Sequence, residues 1–208
     1  MEFVLMADNL NEDRDGAASP LARLIRRAQA GDTTAFDEII TDHQHKVVSL
    51  AWRLLGNQDD ARDAAQEAFL RVYKHLDKFD PSQEFAAWLY RIVVNVCRDL
   101  ARKRRPNVSS FEAGIETGDI AEPASPLNTE TAAMAAEQQA IVLRALATLS
   151  TKERAAIVLR DIEGLPTGEV ARILGSSPTT VRSQISAARV KIKAFRDSWE
   201  RRPSRLPK

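Results

Sequence analysis

The stretch that most constrains the fold is residues 149–195, LSTKERAAIVLRDIEGLPTGEVARILGSSPTTVRSQISAARVKIKAF. Within it Ala171, Gly175 and Val181 stand four and six residues apart. At that spacing a small residue lets two helices touch, a glycine turns the chain, and a branched residue seats the second helix on the first. Ser177 suits an N-cap and Pro178 the first helical position, so the second helix starts at a fixed point. The pattern is that of a helix-turn-helix, whose second helix reads base edges in the major groove with its first turns. An ordinary two-helix hairpin with a glycine corner meets the same spacing, and the motif by itself leaves that alternative open.

At 208 residues the chain can form two small helical domains or one of medium size, and neither needs a cofactor. The single cysteine, Cys97, rules out a disulfide within the chain and a cysteine-based zinc site, so the cytoplasm is the expected compartment. MEFVLMADNLNEDRDGAASP has a brief apolar start followed by acidic residues, the wrong order and charge for a secretion signal. Met6 is an alternative start to Met1. No apolar run approaches the roughly 20 residues of a membrane span, so no membrane insertion is expected.

The net charge is only +1, but charge is segregated along the chain, and a polyanion senses the segregation. Arg98, Arg102, Lys103, Arg104 and Arg105 against Asp99 make residues 98–105 +4, and residues 180–208 carry +7. Between them, residues 106–143 hold six acidic side chains and no lysine or arginine. PNVSSFEAGIETGDIAEPASPLNT, rich in Pro, Gly, Ser and acid without an apolar period, marks a flexible linker at 106–128. The expected layout is therefore all-α: a disordered tail at 1–18, a helical domain at 19–105, the acidic linker, a helix-turn-helix domain at 129–197 and a basic tail at 198–208.

In the first domain, Ser19 and Pro20 open a short helix ending at Gly31, Asp32 caps one running to Gly56, and Asn57 with Asp59 and Asp60 starts a third. In the third, Ala61, Ala64, Ala65, Ala68, Phe69, Val72, Tyr73 and Leu76 predict a continuous buried stripe. A fourth, expected after Pro81 with Ser82 as its cap, keeps Phe85, Trp88, Leu89, Ile92, Val93, Val96, Cys97 and Leu100 on one side and exposes Arg91, Asn95, Arg98, Arg102 and Lys103. A basic face beside Trp88 and Tyr90 can hold phosphates while aromatics receive an unstacked base. The second domain opens with a helix from about Asn128 to Ala147. Ser150 and Glu153 then form a capping box, Ala156, Leu159 and Ile162 face inward, Gly164 ends that helix and Thr167 caps the next. The last helix seats Val181, Ile185, Ala188, Ile192 and Phe195 and leaves Arg182, Ser183, Ser186, Arg189 and Lys193 for DNA.

DARDAAQEAFLRVYKHLDKF and FAAWLYRIVVNVCRDLARKRR, followed by LSTKERAAIVLRDIEG and GEVARILGSSPTTVRSQISAARVKIK, closely resemble bacterial RNA polymerase sigma factors of the extracytoplasmic-function group. The resemblance covers about residues 20–105 and 130–196. The Trp88–Asn95 string is its most specific part, since many regulators share the helix-turn-helix.

The resemblance implies an alternative sigma factor, not an enzyme, that binds core polymerase, directs it to promoters and helps melt them. It matches Asp63, Gln66, Glu67, Phe69, Leu70 and Arg71 to the segment that grips the β′ clamp helices, with the second domain, called region 4 in that family as the first is called region 2, meeting the β flap. The loop Asp77 to Phe85, with Lys78 and Phe79, together with Trp88, Arg91 and Asn95, matches the segment that captures a flipped base of the minus-ten element. Arg98 and Arg102, Lys103, Arg104 and Arg105 match residues that follow the opened strand. Thr179, Arg182, Ser183 and Ser186 match the minus-35 reader, with Arg189 and Lys193 on the backbone. An anti-sigma factor is the expected further partner, and no cofactor or metal is implied. Gln184 and Ala187 stand where relatives often carry arginine, and LPTG replaces a usual tyrosine-and-acid string, which predicts an altered helix start and leaves the promoter sequence unassigned.

Two other classes stay in view. A free-standing helix-turn-helix regulator explains residues 149–195 but not Trp88–Asn95 or the acidic linker. A helical hydrolase or metal enzyme has only Asp42, His43 and His45 to offer, and adjacent residues on a helix cannot share a face. No HExxH, Walker loop or nucleophile elbow occurs.

Overall fold

The computed structural model describes residues 19–104 and 129–201, and every regular element among them is helical. The tail 1–18, Arg105, the linker 106–128 and residues 202–208 lie outside the described residues.

Local chemistry sets the helix starts. Helix α1 (Pro20–Gln29) begins where the Ser19 hydroxyl accepts from the Ala22 N–H, and α2 (Thr33–Leu55) where the Asp32 carboxylate accepts from the Ala35 N–H. That backbone hydrogen bond, with the Arg27 guanidinium, holds the Asp32 carboxyl below its ordinary range. Gly56, at φ 76°, ends α2 in the left-handed region that a glycine enters without strain. Helix α3 (Gln58–His75) is capped by Asn57, which accepts from the Asp60 N–H. Its first turn carries Asp59 and Asp60 and its last Lys74 and His75, both favourable to the helix dipole.

The fully buried alanines Ala61, Ala64 and Ala68, with nearly buried Ala65, keep side chains short on the inner face of α3 and let α2 approach closely. Val47 and Leu50 from α2, and Leu89, Val93 and Val96 from α4 (Phe85–Arg104), complete this core. Truncating a side chain as enclosed as Leu89 to alanine costs about 2–5 kcal/mol. Two expectations for this half are corrected. Tyr73 is 63% exposed: its ring touches Phe36 edge-on and lies beside the buried stripe, outside it. Ser82 does not cap α4, which starts three residues later. Instead Asp80 closes a turn, its carbonyl accepting from the Gln83 N–H and its carboxylate from the Ser82 N–H.

The second half comprises α5 (Thr129–Ala147), α6 (Thr151–Ile157), a π-helical segment (Val158–Ile162), α7 (Thr167–Leu174) and α8 (Pro178–Glu200). The capping box forms: Glu153 Oε2 accepts from the Ser150 N–H at 2.9 Å, and the Ser150 hydroxyl accepts from the Glu153 N–H. The helix from Ser150 is not regular to its end. From Val158 it widens by one residue per turn, the Glu163 N–H reaching the Val158 carbonyl at 2.9 Å. The extra residue turns Ile162, expected inside, to the surface. It ends at Gly164, whose φ of 74° would strain any L side chain. Thr167 is the first residue of α7 and not its cap; Pro166 takes that position and contributes no side-chain hydrogen bond. Ser177 and Pro178 start α8 as expected, but the helix runs to Glu200, three residues into the stretch assigned as tail.

The two halves pack against each other, α4 against α7 and the end of α2 against α6 and the π segment. Arg154 lies in this seam, 5% exposed. Its guanidinium donates to the carbonyls of Leu146 at 2.9 Å and Leu149 at 3.4 Å, and across the seam to that of Leu54 at 3.1 Å. Burial lowers its pKa to about 10, which leaves it cationic at neutral pH and suited to cap the C-terminal ends of α5 and α2.

Glu153 generates a test. Burial alone would raise its carboxyl, but hydrogen bonds from Lys191 Nζ at 2.8 Å and from the Ser150 N–H and hydroxyl hold it below its ordinary value of 4.5. A carboxyl depressed by folding stabilises above its unfolded pKa and loses that contribution as pH falls through the folded one. Glu153→Gln is therefore expected to lower the melting temperature at pH 7, and the gap to the parent to close by about pH 3. Thermal unfolding followed by circular dichroism at both pH values checks it; a pH-independent gap would contradict the assignment.

Candidate nucleic-acid interface

Helix α4 is covered on all but one line. Leu89, Val93 and Val96 face the first-half core, and Ala87, Tyr90 and Val94 are buried as well. Arg91, Asn95, Arg98 and Arg102, spaced four, three and four, are left in solvent, with Lys103 beside them. All five are the residues expected on that face; Arg104 is the last helical residue. Arg102 Nη2 is held at 2.7 Å by Asp99 Oδ1, Asp99 Oδ2 receives Arg71 Nη1 at 3.3 Å, and Arg71 Nε meets Glu67 Oε1 at 2.9 Å. This chain of charges ties α3 to α4 and keeps the Arg71 guanidinium firmly protonated, chiefly through Glu67. Asp99 and its bridging part were not foreseen, because residues 71 and 99 share no local period.

At the start of α4, Phe79, Phe85 and Trp88 form an aromatic cluster with centroids 4.9–5.6 Å apart, and His43 meets Phe85 edge-on at 5.2 Å. Phe79 is 5% exposed, so its ring is the floor of the loop and is not presented to solvent; Trp88 is half-buried and Lys78 exposed. Gln29 Nε2 fastens the loop by donating to the carbonyls of Leu76 at 2.8 Å and Phe79 at 2.7 Å. No sequence signal marked Gln29, which reaches the loop from 47 and 50 residues away. The exposed rim is Asp80, Ser82, Gln83 and Glu84, which provides amide and carboxylate groups above an aromatic floor. That arrangement suits a base edge better than a phosphate. His43 donates from Nδ1 to the Ile39 carbonyl at 2.9 Å, a packing role that accounts for this histidine.

On α3, Asp63, Gln66 and Leu70 are exposed, Glu67 and Arg71 half-buried and paired, and Phe69 is turned partly into the core. Leu70, 55% exposed, and Tyr73 add an apolar strip to this polar face.

On α8, Thr179, Arg182, Ser183, Ser186, Arg189 and Lys193 are all exposed on one face. Gln184 and Ala187 are half-buried and stand aside from it. Arg160 and Thr167 help this face close an open concavity of about 490 Å³. Val190, 67% exposed, sits in its wall, an apolar surface for a sugar or a thymine methyl. Arg189 is not free: its Nε and Nη2 lie 3.0 and 2.9 Å from the two carboxylate oxygens of Asp161 in the π segment, which also raises its pKa. Asp161 was missed because the pair closes over 28 residues and depends on the π turn to aim the carboxylate.

Among the described residues no helix is long and apolar enough to cross a membrane, and no three His, Cys, Asp or Glu side chains cluster as metal ligands would. Two helical modules, each with an exposed cationic face and one of them built as a helix-turn-helix, have the shape and charge of a protein that binds nucleic acid. Comparison with known proteins makes the class definite. Residues 39–106 match the family model Sigma-70 region 2, and residues 139–192 match Sigma-70, region 4. The chain is 38% identical over 172 residues to the ECF RNA polymerase sigma-E factor of Escherichia coli (strain K12), covering 80% of this chain and 88% of that protein. It is 40% identical over 87 residues to the ECF RNA polymerase sigma factor SigW of Bacillus subtilis (strain 168), a match spanning 42% of this chain and 46% of SigW. Among solved structures, CnrH in complex with the cytosolic domain of CnrY is similar at 29% identity and a TM-score of 0.62, covering 85% of this chain and 97% of that one. The sigma factor RpoE in complex with the anti-sigma factor NepR, from Bartonella quintana, shares the fold at 23% identity and a TM-score of 0.61, over 78% and 96% of the two chains. The chain belongs to the ECF sigma factors of the sigma-70 family.

The Asp161–Arg189 pair yields a second test. A phosphate must compete with Asp161 for two of the guanidinium's N–H directions. Asp161→Asn is expected to strengthen duplex binding and steepen the slope of log affinity against log salt by about 1. Fluorescence anisotropy across a salt series measures it; an unchanged slope would take Arg189 off the phosphate backbone.

Proposed function

We infer that this chain is an alternative sigma factor: it binds core RNA polymerase, directs it to promoters with two distinct elements and assists melting at the start site. The observation that carries this reading is the order, on one chain, of a region 2 with Arg91, Asn95, Arg98 and Arg102 open to solvent and a region 4 with Thr179, Arg182, Ser183 and Ser186 open likewise. A regulator acting alone has no use for the first of these. The chain catalyses no covalent step in this reading and works in the cytoplasm, where polymerase and promoter are.

Each surface has a part. The α3 face with Asp63, Gln66, Glu67 and Leu70 meets the β′ clamp helices, and the exposed Leu70 and Tyr73 supply the apolar contact such an interface needs at its centre. Region 4 meets the β flap. Lys78 and the loop above the Phe79, Phe85 and Trp88 floor receive a base unstacked from the minus-ten element, with Asn95 reading its edge. Unstacking costs a few kcal/mol, which the pocket returns. Arg98, Arg102, Lys103, Arg104 and Arg105 follow the opened strand, and Arg189 and Lys193 hold the upstream duplex in register while Arg182 reads it. An anti-sigma factor controls the protein, a reading supported by the RpoE and NepR complex.

Reconstitution with purified core polymerase, followed by run-off transcription and sequencing of the transcripts, tests the whole reading; no association and no initiation would end it. Asn95→Ala is expected to reduce open-complex formation, measured by permanganate reactivity, while leaving affinity for core unchanged. Equal loss of both would contradict its role. Arg182→Ala is expected to weaken recognition of the upstream element by about 1–3 kcal/mol if its contact to a base is bidentate. A promoter-variant competition assay reads that loss.

A further inference from the structure

Gln29 is the last residue of α1 and shares the inner face of that helix with Ile25, four residues before it and 2% exposed. Just beyond Gln29 the chain closes on Asp32. The Arg27 carbonyl accepts the Asp32 N–H at 3.0 Å, and the Arg27 guanidinium meets Asp32 Oδ2 at 2.7 Å. The half-buried Gln29 side chain thus leaves a fixed backbone, and it crosses to the 3-10 turn Leu76–Lys78 that leads from α3 into the loop before α4. There its single amide nitrogen directs both N–H groups at main-chain carbonyls, that of Leu76 at 2.8 Å and that of Phe79 at 2.7 Å. Two such acceptors decide which way the amide faces, because its oxygen turned toward them would meet two carbonyl oxygens. The Leu76 carbonyl also receives the Phe79 N–H at 3.0 Å, so the two ends of the turn are joined both directly and through Gln29.

What these bonds fix is the exit of the turn. A carbonyl and the N–H that follows it lie in one peptide plane, so holding the Phe79 carbonyl sets the plane from which Asp80 departs. Asp80, Ser82, Gln83 and Glu84 are exposed and Pro81 is half-buried, so no side chain between Phe79 and Phe85 is anchored in the core. The rim is therefore positioned from its two ends. Phe85, 3% exposed, holds one of them, and Phe79 holds the other through its buried ring and its carbonyl. Burying the ring alone leaves the next peptide free to swing; the bond from Gln29 removes that freedom.

We propose that Gln29 is a positioning residue of the base-receiving loop: it straps the turn to α1, sets the rim over the floor of Phe79, Phe85 and Trp88, and so governs which base the loop accepts. The strap stands on geometry alone, whereas its effect on base choice rests on the minus-ten reading above. Gln29 lies before residues 39–106, the stretch that matches region 2, so the proposal makes α1 a working part of the reader.

Two measurements test it. The first is hydrogen exchange of residues 76–84 in the full chain, followed by mass spectrometry. Gln29→Met keeps the length of the side chain and loses both donors. It is expected to speed exchange of the loop amides, those of Phe79 and Gln83 among them, about tenfold while α3 and α4 keep the parent's rates. Gln29→Lys, whose ammonium can donate to both carbonyls, should bring the rate back toward the parent's. Equal exchange in parent and Gln29→Met overturns the strap. The second measurement mixes holoenzyme, assembled from the full chain and purified core polymerase, with fully randomised single-stranded DNA and sequences the strands that bind. Gln29→Met is expected to lower the enrichment of the preferred base several-fold at one position, with affinity for core and for the pool as a whole unchanged, and Gln29→Lys to recover it. A merely structural tie would weaken core and pool affinity together, and that outcome overturns the proposal. Parent-like enrichment in a variant whose loop exchange has risen does the same. A parent that enriches no base removes the base-capture reading itself and leaves the strap to be judged on exchange.

Discussion

The burial of α4 on two sides is the constraint on which the rest of this molecule depends. One side fills the region 2 core with Leu89, Val93 and Val96, and another meets α7 of region 4, where the Tyr90 hydroxyl donates to Glu163. A helix squeezed in this way has one line of residues left for water, and in this chain that line is Arg91, Asn95, Arg98 and Arg102. Their direction is therefore not set by their own interactions. It follows from apolar packing worth far more than any contact a surface arginine makes with a carboxylate. That exposed line is held in place by the packing beneath it.

Electrostatics then tune what packing has placed. Arg189 is held by Asp161, and Arg102 by Asp99, which also carries Arg71 and through it Glu67. The pairs are at least partly exposed, so each contributes little to stability. Their consequence is for binding. A guanidinium already fixed by a carboxylate loses less rotamer freedom when it meets a phosphate, but must share its donors or exchange one anion for another.

What was legible in the sequence was local. Ser19, Asp32, Asn57, Ser150 and Ser177 all cap where the spacing of polar and apolar residues places them, since a cap is an interaction over three residues. The exposed lines on α4 and α8 followed from helical periodicity for the same reason. Tyr73 was misjudged because period alone cannot tell the edge of a stripe from its centre; its ring meets Phe36 edge-on beside the buried stripe. The start of α4 shifted because Asp80 outcompetes Ser82 for the local N–H groups and makes a turn instead. The π segment left no mark in the pattern, and with it went Asp161 and Glu163, whose partners lie 28 and 110 or 73 residues away. Domain order was readable; domain docking was not, because no period relates Glu163 to Arg53.

The same π turn serves both halves of the molecule. By inserting one residue between Val158 and Glu163 it aims Asp161 toward the recognition helix and Glu163 toward region 2, two residues apart in sequence and serving different halves of the molecule. A regular helix would have rotated one of these carboxylates out of place. The exposed strip of Leu70 and Tyr73 on α3 lies apart from the contacts between the two halves.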